Sequence, residues 1–503
     1  MNWNRPFAEK ILTLSSGAHY TITAGLIILF ALAIRMVGLS KGIWMDEFRS
    51  IEIMSSSPLI AALRNYDHPP LYFLLLRAWN LISQGEAFLR VLSVIFGVGT
   101  VAAVINWVKG YSRTGSLMAG LLVSSLPMML RFSQEIRHYS MLLFFAALSY
   151  LFASHIKRTP NRKCTYIWLS VTLAICMLTH SLGMLIMVCV SAFVIIDRTF
   201  WSSGRVRAFL LVLIIPSLTF LFINFIFKET FFKDPATFWI PKLSLPYLLG
   251  HLKIVFGLDI LLAIKSRIVA YCPPFHCIAV YGINALLLIF CGLLLIFGQW
   301  KKTYIFLVPA TLHVLVLVII SLLLLPTIWY RTLLPILIPL IAFMGVHIRS
   351  ISYKKIRYPC IAAVVVISAL FVFNWVTVQA NLPYEDWKKV AQVLKQNLKA
   401  GDVLLIYPHY AGGPLGYYLD ITVYDSLGLK HGDGPDRIKR FLQSLASPSS
   451  GRKKSLCLVV RKGLLVKKYI QNYNERIRFL ENRCGKSVVK KMGIIWIFRF
   501  GCD

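Results

Sequence analysis

Acidic side chains are scarce in this chain: its 503 residues hold 21 Asp and Glu against 54 Lys and Arg, a formal net charge of +33. Charge of any sign is thin as well. Only 15% of residues are charged and 57% are hydrophobic, where soluble domains carry about 25% charge. That excludes a soluble enzyme and leaves an integral membrane protein. In a soluble chain the basic excess would point to nucleic acid, but no RNA- or DNA-binding motif accompanies it here. Much of it lies between apolar runs, where basic residues hold loops in the cytoplasm and meet anionic lipid. The ten cysteines show no metal-ligand spacing, which argues against a zinc site. Internal repeats and low-complexity tracts are not visible.

What is present is a series of apolar runs. The first, about Thr21 to Leu39, is too long for a signal-peptide core and lacks a small-residue cleavage site, so it reads as a spanning helix that starts in the cytoplasm. The next piece, Leu71 to Ile82, contains Arg77 and falls well short of the roughly 20 residues that a span needs. It is expected to lie on the membrane, inside one long extracytoplasmic loop over residues 40–90. Charge supports this. If Leu71–Ile82 does not cross, then Lys109, Arg113, Lys157, Arg158, Arg162, Lys163, Arg198, Arg205, Arg207, Lys301, Lys302, Arg349, Lys354, Lys355 and Arg357 all fall on the cytoplasmic side. Counting it as a span would invert most of them.

The expected fold class is therefore a polytopic α-helical membrane protein with about 11 spans and juxtamembrane helices, followed by a small C-terminal extracytoplasmic α/β domain. The membrane domain covers residues 1–379, with a second outer loop at 228–277 whose Leu245–Ile264 stretch has helical spacing. Residues 380–503 turn soluble in composition. They predict helices at Tyr384–Leu398, Pro435–Leu445 and Leu464–Leu480, with strands at Asp402–Tyr407, Ile421–Tyr424 and Ser455–Val460 and a closing strand pair over Ser487–Phe500. An odd span count puts this domain outside the cytoplasm, where Cys457, Cys484 and Cys502 offer one disulfide.

Four polar clusters fall on the outer face by this topology. Asp46-Glu47 directly follows the first span. The pair suits the start of a helix, and it equally suits a general base acting on an acceptor hydroxyl. Asp67-His68-Pro69-Pro70 is a helix-start signal that also carries an imidazole. Arg131 to Tyr139 places Glu135 among Arg131 and Arg137, either as a local ion pair or as part of a binding turn. Trp329-Tyr330-Arg331 fits an interfacial aromatic belt, yet Arg is also the natural partner of a phosphate. His180, at a break between apolar runs, reads first as structural.

Taken together, these motifs resemble the GT-C glycosyltransferases, most of all the branch of protein O-mannosyltransferases and lipid A aminoarabinose transferases. The resemblance is carried by Trp44-Met45-Asp46-Glu47, His68-Pro69-Pro70-Leu71-Tyr72, Leu89-Arg90-Val91-Leu92-Ser93 with Phe96-Gly97, Glu135-x-Arg137-x-Tyr139, Thr179-His180 and Tyr330-Arg331-x-Leu333-Leu334-Pro335. It implies an inverting transferase that takes one monosaccharide from a polyprenyl-phosphate donor. The implied acceptor is extracytoplasmic: lipopolysaccharide, another envelope glycan, a lipid or a protein. Asp46 matches the family's catalytic carboxylate, with Glu47 beside it as support or alternative base. His68, Arg137, Tyr139, Tyr330 and Arg331 match the donor-phosphate and acceptor region. No DxD-like motif appears, so no cofactor and no divalent metal is expected. Leu71-Tyr72-Phe73 stands where the protein O-mannosyltransferases carry a Lys. The implied location is a bacterial inner membrane, with the site on the periplasmic side. The alternative is a transporter or flippase of lipid-linked sugars, which calls for ionisable residues near the bilayer midplane or a broken-helix repeat. Here most polar residues sit at the ends of the runs.

Overall fold

A chain that crosses hydrocarbon must satisfy its own backbone, which a continuous helix does. Among the described residues, seven helices are long and apolar enough to cross: Gly17–Met36, Glu86–Lys109, Tyr139–Arg158, Gly204–Ile226, Thr303–Leu323, Tyr330–Ser350 and Lys354–Thr377. This computed structural model describes residues 17–64, 68–197, 201, 203–226, 240–257, 296–297, 299–379, 385–430, 433–445, 455–461, 467–485, 487–492 and 494–500. Part of the difference from the expected count has a visible cause. Leu126-Pro127 breaks one apolar run and His180 lies between two others, and the helices there, Arg113–Ser125, Pro127–Phe132, Lys163–Thr179 and Gly183–Ile195, are each short of a full span. Residues 258–295 lie outside the described residues, as does most of the outer loop at 228–277. Leu71–Asn80 and Leu245–Val255 are helices of 10 and 11 residues, the length of helices that lie on a membrane rather than cross it.

The chain divides into two compact units. One joins Met1–Leu39 to Ile53–Val378, and the other joins Ser40–Glu52 to Gln379–Asp503. The carboxylate motif thus packs with the C-terminal unit, although it is far closer in sequence to the first span.

In the first unit, Pro127 has no N–H to give to the carbonyl of Val123 four residues earlier. The buried guanidinium of Arg35, near the end of helix Gly17–Met36, takes over. It donates to Val123 O at 3.0 Å and Ser124 O at 3.3 Å. Gln134 in turn donates to the carbonyls of Arg35 and Val37, both at 2.7 Å, so the end of helix Gly17–Met36 is closed by a side chain as well. Helix Arg113–Ser125 crosses helix Leu337–Ser350 with backbones in contact: a Cβ on Gly115 would stand 2.5 Å from Gly345 O. Small residues at such crossings let membrane helices gain dispersion contact.

In the second unit five strands form one sheet: β1 (Val403–Tyr407), β2 (Asp425–Gly428), β3 (Leu456–Arg461), β4 (Val488–Met492) and β5 (Ile495–Phe500). The order is β2-β1-β3-β5-β4. β1 is parallel to both β2 and β3, while β5 runs antiparallel to β3 and β4. β1 and β3 are buried along their whole length, as expected of central strands covered on both faces. One face packs on helix Trp387–Asn397 through Leu404, Ile406, Cys457 and Val459. The other carries Ile438 of helix Pro435–Ser444 and Leu480 of helix Lys467–Cys484. The strand expected at Ile421–Tyr424 is instead a 3-10 turn at Ile421–Val423, because Asp420 accepts from the backbone N–H of Thr422 at 3.0 Å. The strand begins at Asp425. Cys484 is disulfide-bonded, and Cys457 is a buried free thiol.

The crossing of the two glycines yields a prediction. Gly115→Leu should destabilise the detergent-solubilised protein by about 1–3 kcal/mol, the usual cost of overpacking. Thermal unfolding reads this directly, and an unchanged midpoint would mean that the two backbones do not meet.

Candidate functional site

Helix Met45–Ser55 opens with Asp46 and Glu47 in its first turn, where backbone N–H groups lack partners and the helix dipole favours negative charge. The two acids are used differently. Glu47 is fully buried and its Oε2 accepts the N–H of Trp44 at 3.3 Å, the backward half of a capping box. Asp46 is half-exposed. Two further contacts in the same unit hold the approach to the helix: Ile43 N–H donates to Tyr418 Oη at 2.8 Å, and Met45 N–H donates to Glu385 Oε2 at 3.1 Å.

The other residues singled out from the sequence lie in the first unit, and the structure brings them together. Ser93 of helix Glu86–Lys109 anchors the turn between residues 132 and 139: its hydroxyl donates to Glu135 O at 2.7 Å, and Ser140 donates to Ser93 O at 2.7 Å. This places His138 beside His68, ring centroids 4.3 Å apart, and beside His180 at 4.7 Å. His68 and His180 are 4.9 Å apart. Tyr139 lies 4.4 Å from His138 and 5.6 Å from His180. The guanidiniums of Arg137 and Arg331 both approach the Tyr139 ring, at 5.8 and 5.9 Å. Arg331 Nε donates to Tyr330 Oη at 3.2 Å. Arg131 pairs with buried Glu135 at 2.8 Å, the local ion pair that its spacing suggests, and also approaches the Tyr330 ring at 5.8 Å. Helix Leu245–Val255 reaches the same residues through His251, 4.6 Å from Trp329 and 6.2 Å from Tyr330. Asp67 lies outside the described residues.

The ring nitrogens of His68, His138 and His180 lie within 4.8 Å of one another, a grouping able to gather a metal ion. Two observations favour an anion instead. Leu182 N–H donates to His180 Nδ1 at 3.0 Å, so in the neutral ring Nε2 carries the hydrogen and acts as a donor rather than a ligand. The group is also faced by guanidiniums. Burial first, then His68, His180, Arg137 and Arg331, push the His138 imidazole well below its usual range. Burial and then Arg137 push His180 down to about 3. The like charge of Arg137 and Arg331 opposes a cation between the imidazoles. Both ring nitrogens of His138 are buried without a hydrogen-bond partner, as donors and acceptors awaiting a ligand would be.

Three comparisons bear on this geometry. Residues 67–220 match the family model for dolichyl-phosphate-mannose-protein mannosyltransferase. The match takes in under a third of the chain and includes His68, Arg137, Tyr139 and His180. By sequence, no curated protein matches. By structure, the chain is similar to ArnT from Cupriavidus metallidurans bound to undecaprenyl phosphate, with 12% identity, a TM-score of 0.57, and cover of 96% of this chain and 98% of that one. The apo state of the same protein matches at 12% identity and a TM-score of 0.56, covering 95% and 98%. The chain shares the fold of that protein. Within that fold, His138 is a residue that sequence reasoning passed over, although it stands inside the quoted Glu135-to-Tyr139 motif. His180, read as structural, joins it. His251 carried no signal beyond its place in a loop rich in aromatics.

The histidine shifts imply a pH dependence. An unfolded imidazole titrates near 6.5, whereas folded His180 stays neutral down to about 3. The unfolded state therefore binds more protons as pH falls, and stability is lost progressively below about pH 6.5. The unfolding midpoint should drop from pH 7 to pH 5, and His180→Asn should flatten that slope. An identical slope in the variant would remove His180 as its source.

Proposed function

We propose that this chain is a membrane glycosyltransferase that moves one monosaccharide from a polyprenyl phosphate to an extracytoplasmic hydroxyl acceptor, with inversion. The observation that carries the reading is the convergence of Arg137, Arg331, Tyr139, Tyr330 and three histidines into one cationic, hydrogen-bonding group, on a GT-C fold that has a half-exposed aspartate at a helix start. Guanidinium groups bind phosphate oxygens through paired, charge-assisted bonds. They stabilise the charge that grows on a leaving phosphate.

In this mechanism Asp46 takes the proton from the acceptor hydroxyl. The acceptor oxygen attacks the anomeric carbon from the face opposite the phosphate. The bond from that carbon to the phosphate oxygen breaks, and the polyprenyl phosphate departs with the electron pair, held by Arg137, Arg331, Tyr139, Tyr330 and His68. Glu47, committed to the Trp44 amide, shapes the helix start and leaves Asp46 as the base. No metal is required, because the guanidiniums supply the positive charge. The acceptor is an envelope glycan, lipid or protein met on the periplasmic face of a bacterial inner membrane. A basic outer domain, with Lys453, Lys454, Lys490 and Lys491, suits an anionic envelope polymer.

Membranes containing the wild-type protein, given labelled undecaprenyl-phosphate mannose or undecaprenyl-phosphate aminoarabinose, should transfer sugar to endogenous acceptor. Asp46→Asn should lower the rate by about 10²–10⁴-fold, the range for loss of a general base. Arg331→Met should weaken donor use as well as rate. If Asp46→Asn transfers as well as wild type, the base is another group.

A further inference from the structure

The segment that carries Asp46 is held by a carboxylate that arrives 340 residues later in the chain. Glu385 is buried and all of its geometry is in use. Its Oε2 accepts the N–H of Met45 at 3.1 Å and the indole N–H of Trp387 at 2.8 Å. Its Oε1 accepts Arg461 Nε at 2.7 Å. Arg461 stands at the end of central strand β3, and Trp387 is the first residue of the helix packed on the sheet. Both partners of the carboxylate are therefore fixed by the core of the unit.

Met45 is the first residue of helix Met45–Ser55, so its N–H is one of the four that no helical carbonyl can satisfy. Local sequence supplies one cap, Glu47 on Trp44. The second is brought by Glu385, and a third tether, Tyr418 Oη on Ile43 N–H at 2.8 Å, comes from the same unit. Phe48 on the next turn packs on Gly413 so closely that a Cβ there would clash with its ring. An interior ion pair alone would add little to stability, because desolvation offsets its attraction. Its value lies in orientation: Arg461 fixes the carboxylate plane, and that plane fixes the amide next to Asp46.

We propose that Glu385, oriented by Arg461, is a positioning residue for Asp46, and that the C-terminal unit serves the reaction by holding the first turn of the carboxylate helix. The catalytic half of this inference rests on Asp46 being the base. The contact itself does not.

The test compares Glu385→Gln, the double variant Glu385→Gln with Arg461→Gln, and Tyr418→Phe with wild type and Asp46→Asn, all as full-length protein. Amide hydrogen exchange over residues 43–48 is read beside transfer kinetics with whichever undecaprenyl-phosphate sugar the wild type uses. Gln at 385 turns an amide N–H₂ toward Arg461, so exchange over residues 43–48 should speed up while β1 and β3 stay protected. kcat should fall by about 100-fold with donor KM within about twofold, the signature of misplacement rather than lost binding. The double variant restores a donor–acceptor pair and should recover about tenfold of that loss. Tyr418→Phe, which removes a single hydroxyl, should loosen the Ile43 amide without disturbing the sheet, and it serves if Glu385→Gln does not fold. Unchanged exchange over residues 43–48 in both Glu385→Gln and Tyr418→Phe overturns the proposal. So does wild-type kcat in Glu385→Gln where Asp46→Asn is inactive. If Asp46→Asn is fully active, the base assignment falls, and exchange alone decides whether Glu385 holds this turn.

Discussion

Backbone groups inside a bilayer have no water to turn to, and the first unit is arranged around one place where that constraint is acute, the interruption at Leu126-Pro127. Arg35 answers the carbonyls released there, and Gln134 answers the carbonyls at the end of the helix that carries Arg35. With both closed, the turn from Ser133 to His138 can leave helical geometry inside a packed protein. That freedom allows Arg137, His138 and Tyr139 to project together. The site and the interruption are thus one feature: an unbroken helix over this stretch would spread the same three side chains around its circumference.

The same reasoning separates the two kinds of polar residue in the membrane unit. Arg35 gives its two terminal nitrogens to the carbonyls of Ala31, Val123 and Ser124, and it is structural. His138 has two buried ring nitrogens with no hydrogen-bond partner, which a folded protein tolerates where a ligand is to come. Arg137 and Arg331 both face this group, so a cation there would meet like charge.

Much of this was legible in the sequence. Asp46-Glu47, the His68-Pro69-Pro70 turn, the Arg137-x-Tyr139 pair and Tyr330-Arg331 are local patterns at the ends of apolar runs, and the charge alternation that orders those runs needs no coordinates. The short helix at Leu71 was readable from its length and Arg77. Other features depended on long-range pairing. His180 looks like any polar residue at a helix break until His138 and His68 are set beside it. Glu385 reads as one more acid at the edge of an amphipathic helix, and only the fold shows it buried against Arg461 and Met45. The strand at Ile421 failed for a local reason: β-branched residues suggest a strand, but the Asp420 side chain diverts the backbone into a turn before pairing can start. The grouping of Ser40–Glu52 with residues beyond 379 could not be read at all, because nothing in a linear pattern reports which distant segment a loop will join.

That grouping has a consequence for how the protein is made. The Met45 amide and the carboxylate that receives it are 340 residues apart. At about 5–20 residues per second of synthesis, the aspartate helix emerges tens of seconds before its cap exists. Throughout that interval the first turn of that helix lacks its second cap. Translation itself therefore acts as a timer, and a segment synthesised much later completes the hold on one made before it.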